Sequence, residues 1–483
     1  MKNYLALGAL ALMTMAACTK QPEKPIEVEF EMSKKLTEGY HNPLLDFVYT
    51  ADPTAVEHEG RLYVYATNDQ QQLDETHPDS ANTYEKINSL VMMSTNDMVN
   101  WTYHGIIPTK KLAPWIIASW APTVCSRVED NGKTHFYLYF SNSGYGTGVL
   151  TATSPVGPWE SPLDSSLVDA KTPGLGDCTV PFDPGVVIDD NGTGWIAFGA
   201  GKARIARLGK DMISFDSPFA VVPAPFHFEA NELNIIGGKM VYTYNQDWSD
   251  KVGWREKAEL PTRCCMAYML PGEDPLDTGA YRYQDIYLRN AGDDGFEYCN
   301  NHTHLHKYQG KWYVLHHTMT LKAMKGIKGG YRNVSVNEIQ VDEDTQKIHL
   351  SHATHQGVEQ IKPVDPTEWQ QMETTFATAR MGFEEQGDVP GNMVAVPQET
   401  GAIAVKGVDM DKNPTKLCIA AQGEGQVDVR LDSIGGQLIA STLISRKQMG
   451  NTTTTLMHKP KGTHTLVFVM AGENLKVDAW QMK

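Results

Sequence analysis

The 483-residue sequence predicts an all-β chain, a five-bladed β-propeller followed by a β-sandwich (jelly-roll) domain, and three observations carry that expectation. Short segments rich in aromatic and β-branched residues recur along the chain, as in RLYVYATN, THFYLYFSNS, GWIAFGAG, KMVYTYNQ and KWYVLHHTM, with little helical periodicity between them. A polar or acidic residue, an apolar strand, a glycine turn and an aromatic strand follow one another repeatedly, with the turn glycines at Gly60, Gly132, Gly192, Gly238 and Gly310. After about Ile361 the repeat gives way to alternating strands such as GQVDVRLDS and GTHTLVFVM, the pattern of an antiparallel sandwich.

The opening stretch, MKNYLALGALALMTMAACTK, has one lysine, an apolar run and small residues leading to Cys18. That layout is an export signal, and Met15-Ala16-Ala17-Cys18 resembles a lipobox. Residues 1–17 are therefore expected to be a lipoprotein signal, Cys18 the lipidated residue, and residues 18–41 a tether. The apolar run is too short to cross a bilayer, so the membrane is met only through the lipid anchor. The expected location is the cell envelope, periplasmic or at the outer membrane. Six cysteines remain, Cys125, Cys178, Cys264, Cys265, Cys299 and Cys418, without the paired spacing of a zinc site, and buried thiols are expected. With 58 Asp+Glu against 42 Lys+Arg the formal charge is −16, which argues against nucleic acid as a partner and leaves neutral or weakly charged ligands.

Residues 42–360 are expected to form the propeller, 361–374 a linker and 375–483 the sandwich. In a propeller the opening residues of the innermost strands converge at one end of the central axis. Here those residues are Asp52, Trp120 with Ala121-Pro122, Asp183, Glu229 and His302. Three carboxylates and a histidine drawn from distant parts of the chain suit an enzyme. Other readings exist for each. Asp52 and Asp183 both precede proline, where an aspartate can simply cap a turn. Glu232, three residues after Glu229, is expected to be a charge on the blade surface. His302, His304 and His306 alternate along a strand and share a face, which would also suit a transition metal. Trp120 could stack on a sugar or fill a blade core, and Trp115 and Trp248 are further stacking candidates.

At these residues the sequence resembles glycoside hydrolase family 43, five-bladed propeller enzymes that release arabinose or xylose from plant polysaccharides. The resemblance runs from about Asn42 to Leu350 through YTADP, GRLYVYATND, STNDMVNW, WAPTV, TSPVGPW, FDPGVVIDDNG, FEANEL, NNHTHLH and GKWYVLHH. It implies that Asp52 is the general base, Asp183 the carboxylate that orients the acid and adjusts its pKa, and Glu229 the general acid. It further implies that His302 lies beside a water-coordinated calcium at the propeller centre, and that His317 and Arg332 meet the sugar. The motif ending at His317 carries His316 where the family usually has tyrosine. No organic cofactor is implied. The C-terminal region resembles a family 6 carbohydrate-binding module, in which Asp478 matches a structural calcium ligand.

The chemistry agrees with the resemblance. Hydrolysis with inversion needs one ionised carboxylate and one protonated carboxyl group, about 6.5–9.5 Å apart across the sugar. An anionic Asp183 would help keep Glu229 protonated. The expected function is therefore an exo-acting, inverting hydrolase of plant-type oligosaccharides or polysaccharides, foremost an α-L-arabinofuranosidase. β-Xylosidase, exo-galactanase and a non-catalytic sugar-binding lipoprotein are the alternatives.

Overall fold

A computed structural model describes residues 24–129, 131–251, 263–372, 374–378 and 380–483; Cys18 and the signal lie outside the described residues. Each repeat folds as a hairpin because its turn needs a left-handed residue. Gly60, Gly132, Gly192, Gly238 and Gly310 all have φ between 74° and 83°, where glycine alone is unstrained. The hairpins extend into antiparallel blades. Blade I contains Ala51–His58, Arg61–Thr67, Leu90–Thr95 and Thr102–Ile107. Blade II contains Trp120–Val128, Thr134–Ser141, Gly146–Ala152 and Val168–Asp169. Blade III is formed by Gly185–Ile188, Gly194–Phe198, Arg204–Arg207 and Ala220–Val221, and blade IV by His227–Ile236, Lys239–Gln246, Met266–Leu270 and Arg282–Leu288. Blade V has three strands, His304–Tyr308, Lys311–Thr318 and Asn333–Glu338.

Blade V lacks a fourth strand because an earlier part of the chain covers its edge. Leu44 N donates to Val334 O (2.9 Å), Thr50 N to Arg332 O (3.0 Å), and Asn42 exchanges Nδ2 and Oδ1 bonds with Val336 (3.0 and 2.9 Å). These bonds close the ring. Blades pack face to face through aromatic and aliphatic side chains: Val64 with Leu315 between blades V and I, Tyr65 with Leu138 between I and II, and Tyr139 with Phe198 between II and III. Trp195 with Tyr242 and Val241 with Val314 fill the last two gaps. Each such side chain contributes roughly 1.5–3 kcal/mol on burial, so the ring is held mainly by its interblade layers.

The innermost strands of blades I to IV open with a bulge. Asp52, Ala121, Asp183 and Ala230 have φ of 51°, 33°, 48° and 58°, and strand register shifts beside Asp52, Ala121 and Ala230. Neighbouring blades fix these strained residues. Asp52 N donates to His317 Nδ1 (3.1 Å), Ala121 N to Thr67 Oγ1 (2.8 Å), Asp183 N to Ser141 Oγ (2.8 Å) and Ala230 N to Asp183 Oδ2 (3.0 Å). The side chains at the ring centre are thereby aimed by backbone bonds around the whole propeller.

The C-terminal strands form one continuous antiparallel sheet that curls over its own core, with Phe468 and Trp480 at its centre. Lys416–Leu431 and Leu438–Thr455 are long enough to bend through both faces, and Gly423 marks one bend, where an added Cβ would sit 2.1 Å from Asn474 O. Asp478 is half-buried in this sheet. The segment expected as a free tether is packed instead: Ile26, Val28, Phe30 and Met32 lie against Ala402, Val467 and Val469, and Ile26 N donates to Asp428 Oδ2 (2.7 Å). Alternation of apolar residues in IEVEFEM makes this segment a good cover for a sheet face. The six described cysteines are free, and five are buried. Among the described residues no helix is long and apolar enough to cross a membrane.

Asn42→Ala would leave Val336 N, the buried Val336 O and the partly buried Thr354 O without their partner. A loss of about 2–4 kcal/mol in unfolding free energy is expected, read as a lower urea midpoint. An unchanged midpoint would mean that these bonds do not close the ring.

Candidate active site

Asp52, Asp183 and Glu229 come together at the end of the propeller axis where the bulged strands begin. Asp52 and Asp183 are each 4% exposed, Glu229 is half-buried, and His302 lies between the two aspartates with Nδ1 3.8 Å from Asp52 Oδ1 and 3.8 Å from Asp183 Oδ2. Asp52 receives the most support. Thr67 Oγ1 donates to its Oδ2 (2.8 Å) and Arg332 Nη1 to its Oδ1 (3.0 Å).

Arg332 is itself buried and held by a second acid. Its Nε and Nη2 make a two-pronged contact with Asp69 (3.0 and 2.9 Å), its backbone N–H also donates to Asp69 Oδ2, and its guanidinium carbon lies 4.8 Å from the centre of the Tyr84 ring. A planar guanidinium fits this fork and cannot lose its proton. Burial alone would push the Asp52 pKa up, but Arg332, His317 and His302 together hold it well below the usual carboxylate range. Asp52 is therefore an anion at neutral pH.

The other two carboxyls move the opposite way. Burial first, and the Asp52 charge second among the raising causes, lift Glu229 to about 7, against opposing pulls from Asn300 Nδ2, which donates to its Oε1 (3.2 Å), and from Arg332 and His317. Burial, then the charges of Glu229 and Asp52, raise Asp183 as well. Asp183, expected as the anion beside Glu229, is thus pushed towards its protonated form, and Glu229 is raised by burial first and by the charge of Asp52 second. Asp183 acts through geometry, since its Oδ2 holds the amide of Ala230 directly beside Glu229, its Oδ1 accepts from Ser141 Oγ (3.1 Å), and its carbonyl accepts from Asn231 Nδ2 (2.9 Å).

His317 belongs to the same cluster. Its Nε2 lies 2.7 Å from Asn300 O, and its Nδ1 is 3.1 Å from Asp52 N and 3.3 Å from Asp52 Oδ1. Burial lowers its pKa, whereas Asp52 and Cys299 raise it, to about 9 overall. Nε2 faces a carbonyl and so carries a proton, while Nδ1 accepts the Asp52 N–H when the ring is neutral and turns a proton towards Asp52 Oδ1 when the ring is charged. His316 lies away from the cluster, buried and bonded to Asn337 Oδ1 (2.8 Å), so the change from tyrosine at this position falls in blade V packing.

Trp120 is half-buried at the site, with its indole N–H donated to Tyr84 O (3.0 Å) and its ring set edge-on to Tyr84. Trp115 is a packing residue, bonded to Leu163 O and set against the interblade core. Trp248 is 41% exposed. Glu232 is not a surface charge. It is 2% exposed inside the channel, where its Oε1 meets His304 Nδ1 (3.1 Å), and His304 Nε2 meets His306 Nδ1 (3.3 Å). The bulge at Ala230 turns Glu232 inwards. Among the described residues no three His, Cys, Asp or Glu side chains form a metal-binding group, so His302, His304 and His306 make no zinc site. Calcium prefers several oxygen ligands, and the carboxylates nearest His302 already serve Arg332, Thr67, Ser141 and Ala230. The protein donors offer no direct cage for that ion.

Asp69, Tyr84 and Asn300 are site residues that the sequence reading missed. Asp69 closes the YATND string and Asn300 opens NNHTHLH, so both lay inside quoted motifs.

The model of glycosyl hydrolases family 43 matches residues 40–346. The chain belongs to that family. An arabinoxylan arabinofuranohydrolase of Bacillus subtilis (strain 168) is 31% identical over 92% of this chain and 92% of its own length. A second one, from Paenibacillus polymyxa, is 30% identical over 92% of this chain and 74% of its own. The crystal structure of a family 43 arabinoxylan arabinofuranohydrolase from Bacillus subtilis, in complex with cellotetraose, superposes with a TM-score of 0.83 at 30% identity, covering 92% of this chain and 98% of that one. The family 43 protein described here is thus a glycoside hydrolase of the arabinofuranosidase or xylosidase type, alike to these relatives through both domains.

Arg332→Met would leave Asp52 and Asp69 buried without their cation. Removing one partner of a buried ion pair costs about 3–5 kcal/mol. For Asp52 the depressed pKa contributes stability above the unfolded value, lost as pH falls through the folded one. The variant's deficit should accordingly be largest at neutral pH and shrink in acid, as read by thermal melts across pH. A deficit independent of pH would show that Arg332 acts through packing alone.

Proposed function

We propose that this protein is an inverting α-L-arabinofuranosidase that removes terminal arabinofuranosyl branches from arabinoxylan. One observation carries the reading: a single cluster contains an anionic carboxylate held by a cation and a carboxyl group kept protonated to about pH 7. Relatives named for arabinoxylan and similar along nearly their whole length supply the substrate class.

Asp52 draws a proton from the attacking water, using an oxygen made negative but kept in place by Arg332 and Thr67. Glu229 delivers its proton to the departing glycosidic oxygen, with Asn300 orienting its Oε1. Asp183 positions Glu229 through the Ala230 amide. Burial of the whole cluster strengthens each of these interactions relative to water. All three carboxyl groups are present and convergent, which favours catalysis over a binding-only role.

Purified protein should release arabinose from arabinoxylan and from an aryl α-L-arabinofuranoside, and proton NMR of the first product should show the β anomer. Asp52→Asn and Glu229→Gln should each lower kcat by about 10²–10⁴-fold or more while the chain stays folded by circular dichroism, with Asp52→Asn alone melting lower because it leaves Arg332 without one of its carboxylates. The wild-type kcat/KM should fall as pH rises through about 7, when Glu229 loses its proton, and persist on the acid side because Asp52 stays ionised. Initial release of the α anomer, or full activity in either variant, would contradict the assignment. Faster release from an aryl β-xyloside would replace the sugar but not the mechanism.

A further inference from the structure

The N-terminal segment leaves little slack between the expected lipid anchor and the folded body. Cys18 lies outside the described residues, and only residues 19–23 separate it from Lys24 in the sequence. Lys24 is already held: its carbonyl accepts from Gln426 Nε2 (3.0 Å), Ile26 N donates to Asp428 Oδ2 (2.7 Å), and Arg430 Nη2 donates to Ile26 O (2.7 Å). Six residue steps span at most roughly 22 Å, against roughly 80 Å for a free tether running to residue 41. An acyl chain on Cys18 lies beneath a headgroup layer about 6 Å deep, which would hold Gln426 within about 15 Å of the lipid surface.

The surface at that exit is cationic and apolar. A hollow of about 530 Å³ opens between the docked segment and the sheet, with Lys24, Arg430, Ile26, Val28, Phe30 and Ile434 among its walls. Arg430 gives Nη1 to Ile434 O (2.7 Å), while its buried Nε has no acceptor among the described residues. A guanidinium with a donor to spare suits a phosphate. Gln426 pairs across the ladder with Leu443, so both side chains stand on one face, and Leu443 is 39% exposed. Three pairs further on, residues 447–449 bulge out between the Arg446–Gly423 and Gly450–Ala421 pairs, with Arg446 and Lys447 exposed. Of the two acids on the paired strand, Asp428 is buried and occupied by Ile26 N and Ser441, which leaves Glu424.

Glu27, Glu29 and Glu31 are exposed and alternate with Ile26, Val28 and Phe30, so they face away from the sheet. Anionic headgroups repel such a row and attract lysine and arginine. The side turned to lipid is therefore the neighbouring edge.

We propose that this edge of the C-terminal sheet, from the hollow at Lys24 and Arg430 through Leu443 to Arg446 and Lys447, is a docking surface for the phospholipid membrane that carries the chain's own acyl anchor. The cations meet headgroup phosphates and Leu443 enters the interface. The proposal rests on acylation of Cys18 and is independent of the arabinoxylan reading. Across the domain junction Asn100 exchanges two bonds with the Lys406 backbone (2.9 Å each). A sheet set on lipid thus also fixes the direction in which the catalytic mouth opens.

The test uses lipidated full-length protein in vesicles of phosphatidylethanolamine and phosphatidylglycerol, after mass spectrometry of the N-terminal peptide has shown acyl chains on Cys18. Hydrogen exchange at residues 24–30, 433–436 and 443–450 should run about fivefold slower than in a variant with about twelve Gly/Ser residues inserted after Glu23 as a flexible spacer. Leu443→Ser combined with Arg446→Gln and Lys447→Gln should bring exchange to within about twofold of that long-tether variant, with the melting temperature and activity on an aryl glycoside unchanged. Equal exchange in the wild type and the long-tether variant would overturn the proposal, as would protection that survives the triple substitution. Protection that grows with protein density at fixed lipid would assign the edge to a second copy of this chain, and an unmodified Cys18 would remove the anchor. Either result rejects the membrane as the occupant.

Discussion

The pairing of Arg332 with both Asp52 and Asp69 is the constraint on which the site depends. Two buried carboxylates near a third and fourth acid would repel one another and draw protons from solvent. A single guanidinium, gripped from behind by Asp69 and stacked against Tyr84, lets Asp52 remain ionised in a place where burial opposes charge. The same anion then raises Glu229. The cation keeps Asp52 ionised, while burial first and the Asp52 charge second keep Glu229 protonated, the opposite states that inversion requires.

The propeller supplies the geometry. Four of the five blades hand the next a hydrogen-bond acceptor for the residue at its strained opening turn, from His317 to Asp52, Thr67 to Ala121, Ser141 to Asp183 and Asp183 to Ala230. Left-handed backbone at non-glycine residues costs free energy, and here the neighbouring blades offset it. Bulges also decide which side chains face the axis. A regular strand would send Glu229 and Glu232 to alternating faces by simple count; the extra residue at Ala230 brings both to the centre at different depths.

Much of this was legible in the chain. The glycine turns announce hairpins because the backbone at those five positions needs a positive φ, and the acidic openings of the repeats announce the cluster because a propeller brings strand starts together. Glu232 misled because strand alternation takes no account of a bulge. Asp69 and Asn300 were hidden in plain motifs, since their partner Arg332 is distant in sequence and nothing local marks an aspartate as the back half of an ion pair. Residues 18–41 read as a tether because a short extended run of alternating apolar residues, such as 26–32, looks the same whether it is free or laid on a sheet. The alternating strands of the C-terminal domain were legible as a sandwich, and hydrogen bonding runs continuously around its bend.

Opposite protonation of Asp52 and Glu229 is the central physical claim, and carbon-13 NMR titration of the side-chain carboxyls, assigned with Asp52→Asn and Glu229→Gln, addresses it directly. The account predicts one aspartate that stays ionised to the lowest pH at which the protein is folded and one glutamate that titrates near 7. An Asp52 signal that titrates in the ordinary aspartate range, or a Glu229 signal already ionised at pH 5, would contradict it.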